Sequence, residues 1–184
     1  MQSPDGAPAT WLSHYRASDE TEQASLERLS SLLAESPDPF DRRSKLHVTG
    51  SALVLDPPTH RVLLRWHAHQ HDWLQVGGHA DTGEADPYAI ALREATEETG
   101  LFDLSPFPGP VICHVAVVQA AGRDEESGHE HIDVRYLLTT GSPEGVRPES
   151  PMAPLRWSPL EVAIELASDN LAETMRRALR VIRL

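Results

Sequence analysis

The stretch Gly77-Gly78-His79-Ala80-Asp81-Thr82-Gly83-Glu84, continued by Arg93-Glu94-Ala95-Thr96-Glu97-Glu98-Thr99-Gly100-Leu101, decides how this chain is read. Between the two parts, Asp86 precedes Pro87. An aspartate side chain accepts from the free N–H groups of a helix start, and proline suits the first helical position. Gly100 is placed to end the same helix. On a helix over 87–99, Glu94, Glu97 and Glu98 fall at i, i+3 and i+4 and share one face. Carboxylates so placed repel one another by about 0.2–0.5 kcal/mol per pair. A hard cation reverses that sign, because Mg²⁺ prefers oxygen ligands and keeps positions for water and substrate phosphates. Arg93 is positioned to pair with Glu84 and tie the preceding loop to the helix. On spacing alone, a solvated acidic face is the simpler account.

The surroundings read as strands and helices in mixture. Before this stretch, residues 46–55 form an apolar strand, Asp56-Pro57-Pro58-Thr59 turns the chain, and 61–66 returns as a hairpin partner. A short strand at 73–76 leads into Gly77. After it come strands at 111–119 and 131–139, then Leu155-Arg156-Trp157 and a helix over 159–182 broken around Ser168–Asn170. At the other end, residues 1–9 read as a tail. A helix is expected from Trp11 to Glu35, with Leu26, Leu29, Leu32 and Leu33 at helical spacing, stopped by Ser36-Pro37-Asp38-Pro39. The fold class is therefore α/β (α+β), in layers. Residues 1–40 are taken as a tail and accessory helix, and 41–184 as the main domain.

With these residues in view, the stretch resembles the Nudix box, G-x5-E-x7-R-E-U-x-E-E-x-G-U, with U a bulky aliphatic residue. Gly78 and Glu84 match its first half; Arg93-Glu94, Glu97-Glu98, Gly100 and Leu101 match its second. Two departures stand out. Eight residues separate Glu84 from Arg93 where the family has seven, and Ala95 is small for its position. A loop absorbs one residue at little entropic cost. Within the helix, the same insertion would rotate the carboxylates by about 100°. The Arg93–Glu84 pairing is thus where the departure matters. The opening Trp73-Leu74-Gln75-Val76-Gly77-Gly78-His79 is also similar to a subgroup whose boxes begin Gly-Gly-His.

The resemblance implies a Nudix-type α/β/α sandwich around a mixed sheet, here with an added N-terminal helix. It implies hydrolysis of a diphosphate linkage in a nucleoside diphosphate joined to another group, with Mg²⁺ or Mn²⁺. Glu94, Glu97, Glu98 and the carbonyl of Gly78 would hold the metal, and Arg93 and Glu84 would brace the loop. The general base would be Glu97 or Glu94, or an acid of a later segment, for which Glu125, Glu126 and Glu130 are candidates. Two other readings share the resemblance. One is a Nudix-homology sensor that binds a nucleotide without cleaving it, although such proteins usually lose box glutamates. The other is an enzyme like isopentenyl diphosphate isomerase, which uses a His/Glu metal site and a cysteine.

The chain carries 28 acidic residues against 16 Lys and Arg, a formal charge of −12, which disfavours generic nucleic-acid binding. A small nucleotide or other diphosphate is the expected partner; assembly as a homodimer is compatible with the sequence. The lone cysteine, Cys113, excludes an internal disulfide and lies in an apolar run, where an inert thiol is expected. No stretch reaches the ~18–20 apolar residues of a membrane span. The N-terminus shows no signal pattern, so a cytoplasmic protein is the expectation.

Ten histidines are an unusual number. His67, His69 and His71 alternate, as do His129, His131 and Asp133. On a strand, residues two apart share a face. His131, Asp133 and Arg135 would then face one way, with Ile132, Val134 and Tyr136 toward the core. Such a face could meet substrate phosphate or a second metal, since imidazole suits zinc. The competing account is an ordinary polar sheet face. His79, next to the proposed metal-site glycine, joins His131 and Arg135 as candidates for substrate contact. Trp66 and Trp73 are candidates for stacking on a base, against the commoner role of core aromatics.

Overall fold

Strand β1 (Leu46–Asp56) organises the molecule, whose computed structural model describes residues 10–120 and 128–183. It runs parallel to β7 (His129–Thr139) over ten paired positions, from Leu46 opposite Glu130 to Leu55 opposite Thr139. Its other edge serves two antiparallel partners in succession. β4 (Val76–His79) pairs with Thr49–Ala52, and β2 (Arg61–His67) with Val54–Asp56. β3 (Asp72–Leu74) and β8 (Leu155–Pro159) extend the sheet from β2. β5 (Ser105–Pro106) and β6 (His114–Ala120) share the outer edge of β7. The result is one mixed eight-stranded sheet.

Alternation along β1 and β7 separates two cores. Val48, Ala52, Val54, Ile132, Val134, Tyr136 and Leu138 point to one face. There α2 (Pro87–Thr99) packs through Ile90, Ala91 and Ala95, and α1 (Glu20–Glu35) through Leu29. Leu53, Leu55 and Leu137 point to the other face, covered by α3 (Leu160–Leu166) and α4 (Asp169–Ile182) through Leu160, Leu171, Met175 and Ala178. This is the expected α/β/α sandwich. Gly50 sets the depth at which α2 sits. A Cβ there would lie 2.3 Å from the Pro87 carbonyl oxygen and 3.0 Å from Ile90 Cβ.

The helix over 87–99 has the expected bounds. Asp86 accepts from the Tyr88 N–H, and the Gly100 N–H closes on the Thr96 carbonyl. The C-terminal helix is indeed interrupted, at Ala167-Ser168. Three expectations are corrected. The N-terminal helix starts at Glu20, because Asp19 caps it by accepting from the Glu22 N–H. Trp11, Leu12 and Tyr15 lie before it and pack on the core. The strand expected from 111 begins at His114, and His69 and His71 lie in a turn beyond β2, His71 with φ of +50°. No helix among the described residues is long and apolar enough to cross a membrane.

The N-terminal helix is fastened through a buried charge. The Glu22 carboxylate is 1% exposed and accepts from Tyr15, the N–H groups of Ser18 and Val115, and both-oxygen contacts of 2.8 Å from Arg177 on α4. Burial works to raise its pKa, but the donors outweigh it and hold the group down at about 2. Its pKa is thus below the ordinary glutamate value of about 4.3, so its ionised form stabilises the fold above that pH. The contribution is lost as pH falls toward 2. Removing one partner of such a pair leaves an uncompensated charge and costs about 3–5 kcal/mol. We expect Arg177→Met to lower stability by that order in urea unfolding at pH 7. Arg177→Met combined with Glu22→Met should recover most of the loss. Acid unfolding of that double variant should also lack the limb between about pH 4 and 2.

Candidate active site

The site forms where β4 leaves β1 and faces α2. Gly78 pairs with Gly50, and its missing side chain makes room for Glu94. A Cβ at Gly78 would lie 2.6 Å from the Glu94 Cδ and 2.7 and 2.8 Å from its two carboxylate oxygens. One turn further along α2, Glu98 is 7% exposed; its Oε2 accepts from the Gly77 N–H at 3.0 Å. Its Oε1 lies 3.2 Å from Arg65 Nε, an ion pair without hydrogen-bond geometry. Glu97 is the outermost of the three, with its side chain 55% exposed.

Arg93 binds this group to the loop. Its Nε lies 3.0 Å and 3.3 Å from the two oxygens of Glu84, and its Nη2 donates to Glu84 Oε2 at 2.9 Å. The same guanidinium reaches Glu94 at 2.9 Å, Glu97 at 3.1 Å and the His79 carbonyl at 2.8 Å. The extra residue therefore leaves the pairing intact. It falls between Glu84 and Arg93, where 84–86 form a loop into α2 at Pro87. The preceding turn is closed by the Glu84 N–H on the Asp81 carbonyl and the Asp81 N–H on Glu84 Oε2.

Protonation follows from these contacts. Arg93 holds the Glu84 carboxyl below the usual range. Burial raises Glu94 against the pull of Arg93. Burial also pushes Glu98 up to about 7, against Arg65 and the Gly77 N–H. Charge is thus incompletely balanced at the inner carboxylates, and oxygen donors converge beside a strand with no side chain to fill the space. This donor set fits a hard divalent cation.

Glu94, Glu98 and Gly78 border a cleft of about 730 Å³ that also takes in Arg42, Arg65 and Gln75. Its other wall is the polar part of the sheet face opposite α2. As expected, His131, Asp133 and Arg135 project there while Ile132, Val134 and Tyr136 enter the core. Asp133 is 4% exposed and accepts from Thr49, Ser51, Gln75 and Arg135 at 2.8–3.0 Å. Arg135 is 2% exposed, and its other donors go to Asn170 and Thr174 on α4. It orders the wall. His79 and His131 also line the cleft, with Nε2 atoms 3.3 Å apart. Burial lowers their pKa to about 4 and about 3, so both rings are neutral at pH 7.

A family model described as the NUDIX domain matches residues 45–181. The chain belongs to the Nudix family. Solved structures of similar fold include an Ap4A hydrolase from C. elegans in a binary complex, at 19% identity and a TM-score of 0.57, covering 74% of this chain and 97% of that one. The E. coli dihydroneopterin triphosphate pyrophosphohydrolase matches at 17% identity and 0.58, over 74% and 96%. A NUDIX-family hydrolase from Clostridium perfringens matches at 25% identity and 0.51, over 74% and 96%. Comparison with curated proteins gave no match.

Among the described residues, the other candidates fall outside this Nudix cleft. Glu125 and Glu126 lie outside the described residues. Glu130 is bound by Arg28 of α1 and by Gln119. Trp66 and Trp73 are cross-strand partners packed edge to face at 5.6 Å, and Arg156 lies 4.3 Å over Trp73. Cys113 is half-buried just before β6, and burial pushes its thiol up to about 12. It does not border the cleft, which removes the nucleophile an isomerase-like reading requires. The sequence reading missed Arg65, brought to the site by its place in β2, and Gln75, held in the short link between β3 and β4.

Arg93→Lys keeps one charge but loses the planar fork that meets Glu84, Glu94 and the His79 carbonyl together. Amide exchange at Gly83 and Glu84 should then accelerate on the order of tenfold, while the buried side of α2 stays protected. Unchanged exchange in the loop would show that the arginine is not what holds it.

Proposed function

We propose that this chain is a metal-dependent hydrolase that cleaves a diphosphate linkage in a nucleoside diphosphate joined to another group, by attack of water on phosphorus. The observation that carries the reading is the seating of Glu94 against the bare backbone of Gly78 and of Glu98 on the Gly77 N–H, with Glu97 on the same helix. Glu94 and Glu98 line a cleft which also holds Arg42 and Arg65. Two solved structures of this fold bear the names of an Ap4A hydrolase and a dihydroneopterin triphosphate pyrophosphohydrolase, which supports the reaction class.

Glu94, Glu97, Glu98 and the Gly78 carbonyl would hold Mg²⁺ or Mn²⁺. Bound there, the ion neutralises phosphate oxygens and acidifies water. Glu97 or Glu94 takes the proton of the attacking water; Glu94 lines the cleft, and Glu97 is more than half exposed on the same helix. Arg93 and Glu84 act on position: they fix the His79 backbone and hence the carbonyl beside it. Arg42 and Arg65 supply positive charge for a phosphate in a chain whose formal charge is −12.

A panel of nucleoside triphosphates, sugar nucleotides, dinucleotides and capped RNA, assayed with Mg²⁺ or Mn²⁺, should reveal phosphate release that chelator abolishes. Glu97→Gln and Glu98→Gln should each lower kcat/KM by about 100-fold or more with the fold intact. Gly78→Ala should displace the Glu94 carboxylate and weaken Mn²⁺ binding by about tenfold, with Tm nearly unchanged. Tight nucleotide binding without turnover under either metal would instead identify a sensor.

A further inference from the structure

Four imidazoles meet on the sheet face opposite the α2 carboxylates. His47 comes from β1, His79 from β4, and His129 and His131 from β7. One nitrogen of each lies within 4.8 Å of the other three. The parallel register sets His47 directly opposite His131, and β4 brings His79 opposite Thr49 on the same face. Ring centroids of His47 lie 5.1 Å from His79, 5.5 Å from His129 and 4.7 Å from His131.

His47 shows what this arrangement lacks. It is fully buried, and its Nδ1 lies 2.9 Å from the Ser44 carbonyl, so Nδ1 carries the proton and Nε2 the lone pair. Nε2 is buried and has no hydrogen-bond partner among the described residues. A buried acceptor left bare is costly in a folded protein and calls for a partner. The nearby carboxylate does not supply one, because Asp133 is an acceptor whose oxygens are taken by Thr49, Ser51, Gln75 and Arg135. Histidines that ligate metals commonly donate their second N–H to a backbone carbonyl in just the manner of His47. Zn–N bonds of about 2.0–2.1 Å at tetrahedral angles place neighbouring nitrogens roughly 3.3 Å apart. His79 Nε2 and His131 Nε2 are already 3.3 Å apart.

We propose that His47, His79, His129 and His131 form a nitrogen-donor site for a transition metal of the zinc class, separate from the carboxylate site on α2. Imidazole donors select such ions over Mg²⁺, which takes oxygen. The site joins β1, β4 and β7, and it grips β4 at the residue next to Gly78. It stands on the histidine geometry and does not depend on the hydrolase reading.

The test uses the full chain, stripped with chelator and then supplied with Zn²⁺ or Co²⁺. Elemental analysis should find one zinc retained per chain, Zn²⁺ should raise Tm, and Co²⁺ should give the intense visible bands of a four-coordinate site. His131→Asn, and His129→Asn at a half-exposed position, should each remove those bands and weaken zinc binding by about tenfold or more, with circular dichroism unchanged. Glu97→Gln and Glu98→Gln should leave the bands in place. No zinc retained by the wild type would overturn the proposal. So would Co²⁺ bands that survive His131→Asn but vanish in Glu98→Gln.

Discussion

The guanidinium of Arg93 touches Glu84, Glu94, Glu97 and the carbonyl of His79, and through them it fixes a loop, a helix and a strand relative to one another. A lysine's point charge could meet one of these groups; a planar fork meets several in set directions. The contact with His79 reaches furthest. It holds the end of β4, where Gly78 turns bare backbone toward α2 and His79 turns its ring the other way. The geometry on both faces of that strand therefore depends on one side chain whose own helix is seated by Gly50.

The same arrangement explains a charge pattern that would otherwise be unfavourable. Three carboxylates on adjacent turns repel, and two of them sit where burial raises their pKa. Arg93 and Arg65 offset part of this, each from one side. What they leave is a site with oxygen donors in excess of positive charge, which favours a divalent cation over an extended anion. In so acidic a protein positive charge has to be local, and Arg42, Arg65 and Arg135 bring it to the cleft.

The sequence was most informative where structure is set by neighbours along the chain. Asp86-Pro87 and Gly100 determine the bounds of α2 through local capping, so the helix and the shared face of Glu94, Glu97 and Glu98 could be read directly. The family motif carried the rest of the fold. Periodicity misled where apolar residues serve packing outside a helix: Trp11, Leu12 and Tyr15 have helical spacing but precede the Asp19 cap. It misled again at His67, His69 and His71, where period two falls partly in a turn. His47 was illegible for a different reason. One histidine in an apolar run carries no local signal, and its partners are 32 or more residues away, joined by the parallel β1–β7 register and the antiparallel β1–β4 pairing, which local patterns do not encode.

That register also decides where the sheet spends its polar residues. On the face opposite α2, the later part of β1 and β7 carries Leu53, Leu55 and Leu137 beneath α3 and α4, an ordinary apolar layer. The earlier part carries His47, Thr49, Ser51, His131, Asp133 and Arg135, all near the short strand β4 and the cleft. α4 hydrogen-bonds this part through Asn170 and Thr174, which bind Arg135. Buried polar groups must be paired, and here nearly all are: Asp133 gathers four donors and Arg135 is bonded along its length. Against so complete a network, the bare Nε2 of His47 is an exception among the described residues, and its ring belongs to a cluster of imidazoles that donate lone pairs.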